Sequence, residues 1–112
     1  MKNKQALDAF AALSHETRLD VFRLLIRILP GEMPAGDIAR ELDVLPSTLS
    51  THLAILSRAG LVTSARQSRV ISYKADISGV RALLTFLVKD CCRGKAAACQ
   101  NLVAAVLPTC CA

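Results

Sequence analysis

The hydrophobic period of this chain changes from about 3.6 residues to about 2 at Ala59-Gly60. Four segments before it carry helical spacing. Asn3 to Leu13 repeats Ala6, Leu7, Ala9, Phe10 and Leu13, and a second helix, with Ser14 expected as its N-cap and Glu16 in its first turn, runs to about Leu29 on Leu19, Phe22, Leu25, Ile26 and Leu29. Pro30-Gly31 ends it. Pro34 opens a third helix, Ala35 to Leu42, with Ile38, Ala39 and Leu42 inward. Asp43-Val44-Leu45 then makes a three-residue turn, and Pro46 suits the first position of a fourth helix reaching Arg58. Gly60 stands just past the end of that helix, where a left-handed residue is expected.

After the change, Leu61 to Arg66 and Val70 to Lys74 read as two strands joined by Gln67-Ser68-Arg69. From Ile77 to Val88 the helical period returns, with Val80, Leu83, Leu84, Leu87 and Val88 as an apolar stripe and Cys91 one turn further on. Arg93-Gly94 interrupts, and Ala96 to Leu107 can form one more helix before Pro108. Helix, short turn, helix, hairpin is the order of a winged helix-turn-helix. The expected fold is mainly α with a small β-hairpin, one domain over 1–112. Within it, 34–58 is the helix-turn-helix, 61–74 the wing and 90–112 a cysteine-rich C-terminal segment.

The fourth helix carries the functional expectation. At 100° per residue, Leu49, Leu53 and Leu56 cluster within about 60° on one face. Ser47, Thr51 and Arg58 lie opposite, Thr48 and His52 on one flank and Ser50 on the other. An ordinary surface helix would carry Glu and Lys there, whereas this one presents short polar residues that are poor helix formers. Such residues let a helix approach base edges and phosphates closely. His52 also has a plainer reading, as a flank residue bonded to backbone. Arg66 and Arg69 bracket the hairpin tip; a solvated turn is the plain reading, a wing gripping the minor groove or the phosphates the functional one. Fourteen Lys and Arg against nine Asp and Glu give a net charge of +5, which favours an anionic partner. The DNA-binding candidates are therefore Ser47, Thr48, Ser50, Thr51, His52, Arg58, Arg66 and Arg69, with double-stranded operator DNA as partner.

Hydrophobic residues make up 53% of the chain, more than a domain this small readily buries, and a homodimer interface is the simplest cover. The longest uncharged run, Ala96 to Ala112, contains Gln100, Asn101 and Pro108 and falls short of a membrane span. The opening Met1-Lys2-Asn3-Lys4-Gln5 leads into a segment with Asp8, unlike a signal peptide, so the expected location is cytoplasmic. A Ser/His/Asp set is not discernible, so neither an enzyme nor an obligatory cofactor is expected. All five cysteines, Cys91, Cys92, Cys99, Cys110 and Cys111, fall in the last 22 residues. A disulfide framework would spread them along the chain, so the crowding reads as a metal, metalloid or redox site.

Leu42-Asp43, the run Ser47-Thr48-Leu49-Ser50-Thr51-His52-Leu53-Ala54-Ile55-Leu56, and Ala59-Gly60-Leu61-Val62 together resemble the core signature of the ArsR/SmtB family of metalloregulators. Ser14-His15-Glu16-Thr17-Arg18-Leu19 resembles that family's entry to its second helix, and the likeness covers about residues 6 to 88. It implies homodimers paired through the first and last helices, and a repressor released from its operator by effector. Leu45 departs from the pattern, since many members carry there a Ser that caps the recognition helix. Two effector sites of the family are missing: Met33 to Asp37 has no thiol at the start of the third helix, and Ile77 to Val88 has neither Asp nor His.

What remains is Cys91, Cys92 and Cys99 as a metal-binding set. A helix end broken at Gly94 can turn the first two sulfurs toward one point, and Cys99, eight residues after Cys91, can fold back as a third. Three thiolates without imidazole or carboxylate suit trivalent arsenic or antimony, as arsenite or antimonite. Zinc and cadmium fit less well; zinc normally takes a fourth ligand, which Cys110 or Cys111 could supply. Arg93 and Lys95 favour thiolate over thiol. The cluster also resembles that of ArsR members whose arsenic site lies at the C-terminal end of the dimerisation helix. Two other readings stay open. The thiols could form a disulfide or polysulfide, making the same fold a redox or reactive-sulfur sensor. Or the chain could be a thiol-rich metal-buffering protein that does not bind DNA, against which the Ser/Thr-rich helix face counts.

Overall fold

Seven side chains, Val21, Leu25, Ile38, Leu49, Leu53, Leu56 and Leu61, are shielded from solvent almost completely, and the rest of the fold is built around them. The computed structural model of the chain describes residues 1–88. Five helices and three short strands follow in the order α1 (Asn3–Leu13), α2 (Glu16–Arg27), β1 (Met33–Pro34), α3 (Ala35–Leu42), α4 (Pro46–Arg58), β2 (Val62–Gln67), β3 (Val70–Ala75) and α5 (Ile77–Val88). The mainly helical fold with its small sheet is the winged helix-turn-helix expected from the sequence.

Each helix boundary has a local cause. Helix α3 ends at Asp43, which takes the left-handed conformation (φ 54°) while the Val44 N–H donates to the Ala39 carbonyl. A short polar side chain tolerates that region better than most. Pro46 opens α4 and Gly60 closes it with φ 79°. There the Gly60 N–H donates to the Ser57 carbonyl and the Leu61 N–H to that of Leu56, which satisfies the last carbonyls in a Schellman motif. Leu56 and Leu61, at the two ends of that motif, are both buried. Asp76 caps α5, its carboxylate accepting from the N–H groups of Ser78 and Gly79.

Three details differ from the sequence expectation. The cap of α2 is His15, whose Nδ1 accepts from the Thr17 N–H at 3.2 Å, and Ser14 instead closes α1 through its N–H to Ala11. Only Ser14 and His15 separate the two helices, so the first is consumed in ending one and the second begins the other. Helix α2 stops at Arg27, not Leu29. The sheet has a third strand: Met33 and Pro34 pair antiparallel with Tyr73 and Ser72, giving the order β1-β3-β2. Proline is tolerated in β1 because it is an edge strand, with a neighbour on one side only. The hairpin itself runs in register from Val62 opposite Ala75 to Gln67 opposite Val70, leaving Ser68 and Arg69 as the turn.

Helix α1 shows two apolar faces. Ala6, Ala9 and Ala12 pack inward, where their small size allows close approach to the neighbouring helices, while Leu7 and Phe10 point to solvent. In α5, Leu83 is buried and Leu84 and Leu87 are more than half exposed. The two helices pack against each other. Among the described residues, no helix is long and apolar enough to cross a membrane.

Candidate nucleic-acid interface

Three leucines at helical spacing, Leu49, Leu53 and Leu56, anchor α4 in the core and so fix which way its other sides face. Ser47, Thr48, Ser50, Thr51 and Arg58 are all exposed. Their side chains are short, apart from Arg58 at the C-terminal end, so the helix surface is open to a close-fitting partner. Packing of α4 against α2, α3 and β2 holds that surface in one orientation.

The hairpin extends away from the core, and every residue from Thr63 to Ile71 is exposed. Ser68 adopts φ 59° at the first of the two turn positions, the sign that suits the twist of a two-residue hairpin. Arg66 Nε donates to the Ser68 carbonyl at 3.1 Å, which ties that guanidinium to the turn it flanks. Arg69 occupies the second turn position and is exposed. Both arginines thus sit at the tip of the projecting ribbon.

His52 departs from the face expected of it. It is only 8% exposed, the one buried polar side chain among the described residues, and lies inside the junction of α4 with α2. Its Nδ1 stands 3.4 Å from Arg18 Nη1, and its ring centroid 4.6 Å from that of His15, the planes tilted by 45°. The same Arg18 donates through Nε to the Ala12 carbonyl at 2.5 Å and through Nη2 to that of Ala11 at 3.4 Å. One guanidinium therefore joins the end of α1, the start of α2 and the middle of α4. Burial, then the neighbouring His15 and Arg18, lowers the pKa of His52, so its neutral form is favoured with Nδ1 as acceptor. On the helical wheel His52 stands on a flank, about 40° from Leu56 and about 140° from Ser47, and α2 covers that flank. Arg18 was not foreseen as a site residue, since its partner lies 34 positions away in the chain.

Cys91, Cys92 and Cys99, the expected metal ligands, lie outside the described residues, as do Cys110, Cys111 and the helix expected over Ala96 to Leu107. Among the described residues, no group of three or more His, Cys, Asp or Glu could hold a metal ion.

A family model described as a helix-turn-helix domain matches residues 13–65. The transcriptional activator HlyU of Vibrio cholerae is 29% identical over 89 residues, which cover 80% of this chain and 80% of that protein. The HTH-type transcriptional regulator YbzH of Bacillus subtilis is 30% identical over 95 residues, covering 74% of this chain and 95% of the relative. The arsenical resistance operon repressor of Escherichia coli is 32% identical over 68 residues, 61% of this chain and 56% of the repressor. Among solved structures, an ArsR-like transcriptional regulator from Rhodococcus sp. RHA1 matches with a TM-score of 0.69 at 28% identity, over 92% of this chain and 90% of that one. The homodimeric winged helix-turn-helix domain of a possible ArsR-family regulator from Mycobacterium bovis matches with a TM-score of 0.61 at 26% identity, over 78% and 81%.

Proposed function

We propose that this helix-turn-helix transcriptional regulator, similar in sequence and fold to ArsR-type regulators, is an ArsR-family homodimeric repressor of a metalloid-resistance operon. Trivalent arsenic or antimony releases it from the operator by binding the thiolates of Cys91, Cys92 and Cys99. The observation that carries the DNA-binding half is the exposed Ser47, Thr48, Ser50 and Thr51 on a helix whose opposite side is locked in the core. That helix lies in the major groove, and Arg66 and Arg69 on the wing meet phosphates or the minor groove beside it.

Exposed Leu7, Phe10, Leu84 and Leu87 on two helices that pack together support pairing through α1 and α5. Two recognition helices can then reach successive major grooves. The cysteine set adjoins the end of α5 in the sequence, so ligand binding there acts next to the pairing helices. The metalloid is supported by the soft, all-thiolate donor set and by the likeness to the arsenical resistance operon repressor. By reciprocity, operator DNA weakens metalloid binding by the same factor as metalloid weakens DNA binding.

Fluorescence anisotropy of the reduced protein on DNA from its own upstream region, titrated with arsenite and separately with zinc, tests both halves. Release by arsenite in the native protein, lost when Cys91, Cys92 and Cys99 are all changed to serine, is the expected result. Release that survives alkylation of the thiols would overturn the effector assignment. Tight binding indifferent to arsenite but abolished by oxidant or persulfide would replace the metalloid by a redox signal.

A further inference from the structure

Leu45 is the most exposed large hydrophobic side chain among the described residues, at 71%. It occupies the N-cap position of α4, where a Ser, Thr, Asn or Asp would accept from the first backbone N–H groups; no side-chain cap bond is made. The position therefore contributes neither a cap nor core packing. Its carbonyl does accept from the Leu49 N–H at 2.9 Å, so the backbone is part of the first helical turn. Pro46 holds it further: a residue before proline is kept out of the helical region, and Leu45 sits at φ −61°, ψ 137°. An apolar side chain is thus displayed on a fixed backbone at the end of the helix where Ser47 and Thr48 are also exposed.

Single exposed leucines are common and by themselves mean little. Of the other exposed large apolar residues, Leu7 and Phe10 lie on α1, Ile77, Leu84 and Leu87 on α5, and Val70 and Ile71 on the hairpin. Leu19 lies on α2 and Met1 at the start of the chain, and none of them adjoins the polar face of α4 at its N-terminal end. Leu45 stands in the turn of the helix-turn-helix, adjoining the polar face of α4. Of the groups that base pairs present in the major groove, the C5-methyl of thymine is the apolar one.

We infer that Leu45 is a specificity-determining residue that packs against a thymine methyl in each operator half-site. The inference rests on the reading of α4 as the DNA-reading helix and adds to it a base preference. Because the backbone is already ordered, little conformational freedom is lost when the contact forms. The preference is for thymine over cytosine, and equally for thymine over uracil, which differs only by the methyl.

The test uses an operator recovered by selection from random duplexes with the full-length protein, in which each thymine is replaced in turn by deoxyuridine. For the native protein, one position per half-site should lose about fourfold in affinity, the worth of one buried methyl group. In Leu45→Ala the same replacement should cost nothing, while thermal stability stays at the native value because the leucine side chain is exposed. Alanine serves better than serine, which would introduce a cap as well as remove the contact. Equal losses in native and Leu45→Ala at every thymine, or no sensitive thymine, would overturn the inference and leave the DNA-binding reading intact. Failure of the selection to enrich any sequence would instead overturn the reading on which it stands.

Discussion

Arg18 Nη1 lies 3.4 Å from Nδ1 of His52, while the other nitrogens of the same guanidinium bond the Ala11 and Ala12 carbonyls. Of the last carbonyls of α1, that of Ala11 also accepts from the Ser14 N–H that closes the helix, and the His52 ring is almost sealed from water. One planar fork reaches both groups, and in doing so it fixes α4 relative to α1. Changing Arg18 to Met keeps much of the aliphatic bulk and removes every one of these bonds. The expected cost is about 1–3 kcal/mol of unfolding free energy, read by denaturant titration. Arg18→Lys should recover only part of it, since an ammonium cannot span three acceptors in one plane. If the methionine variant is as stable as the native protein, the junction is not held by this residue.

The depressed pKa of His52 gives that junction a pH dependence of known sign. Desolvation is the leading cause, followed by the charges of His15 and Arg18. In the unfolded chain the imidazole binds its proton near the ordinary value of about 6.5. In the folded chain it does so only at lower pH, so the folded state holds fewer protons between the two values. Stability from this group is complete above about pH 6.5 and falls as pH drops through the lowered folded value. Denaturant titrations between about pH 7.5 and 5 should show the loss, and His52→Gln should flatten it. A native slope that the glutamine variant reproduces would assign the effect to other groups.

A second close contact involves two glycines. A Cβ built on Gly79 would collide with the carbonyl of Gly60, so the first turn of α5 rests directly on the corner between α4 and β2. Glycine inside a helix ordinarily costs about 0.5–1 kcal/mol relative to alanine, so at an open site Gly79→Ala would stabilise. Here it should destabilise by about 1–3 kcal/mol, because backbone has to move to admit the methyl. The sign of the change in melting temperature is enough to decide.

Most of the helical architecture was legible in the chain because its boundaries are local. Pro46, Gly60 and the apolar triplet Leu49, Leu53 and Leu56 act over a few residues, and they set α4 from Pro46 to Arg58 as the sequence predicts. What was missed depends on a tight connection between helices or on partners distant in the chain. Ser14 is a better cap than histidine by propensity, yet the tight connection from α1 leaves that role to His15. Met33 and Pro34 become a strand only because Tyr73 and Ser72 run past them. The wheel position of His52 says nothing about Arg18 reaching it from α2. The exposure of Ser47, Thr48, Ser50, Thr51 and Arg58 was easier to read, since an exposed helix face follows once the buried one is known. For the cysteine set, the sequence supplies ligand chemistry and spacing, which limit the metal without fixing the arrangement.

The exposed leucines of α5 bear on assembly. Leu84 and Leu87 lie three residues apart on one side of the helix and are 56% and 51% exposed. If they meet a second copy, charged replacements there should abolish pairing while leaving the core around Leu83 intact. Leu84→Lys with Leu87→Lys is expected to sediment as a monomer and to bind operator at least tenfold more weakly, having lost the second recognition helix. A variant that still sediments as a dimer would place the interface elsewhere.

The two wing arginines can be separated by their bonds. Arg66 is tied to the Ser68 carbonyl, so its removal alters the turn as well as the charge. Arg69, at the other turn position, offers the cleaner test of a phosphate contact. Each phosphate neutralised contributes about 0.9 to the slope of log affinity against log salt. Arg69→Ala should therefore lower the slope by about 0.9 for each wing engaged, close to two for a dimer, and weaken specific and non-specific duplexes alike. Were Arg69 to read bases in the minor groove, the loss would instead concentrate on the selected operator and vary with A·T content beside each half-site. Measured on both kinds of duplex across a salt series, the variant distinguishes a wing that grips the backbone from one that reads sequence.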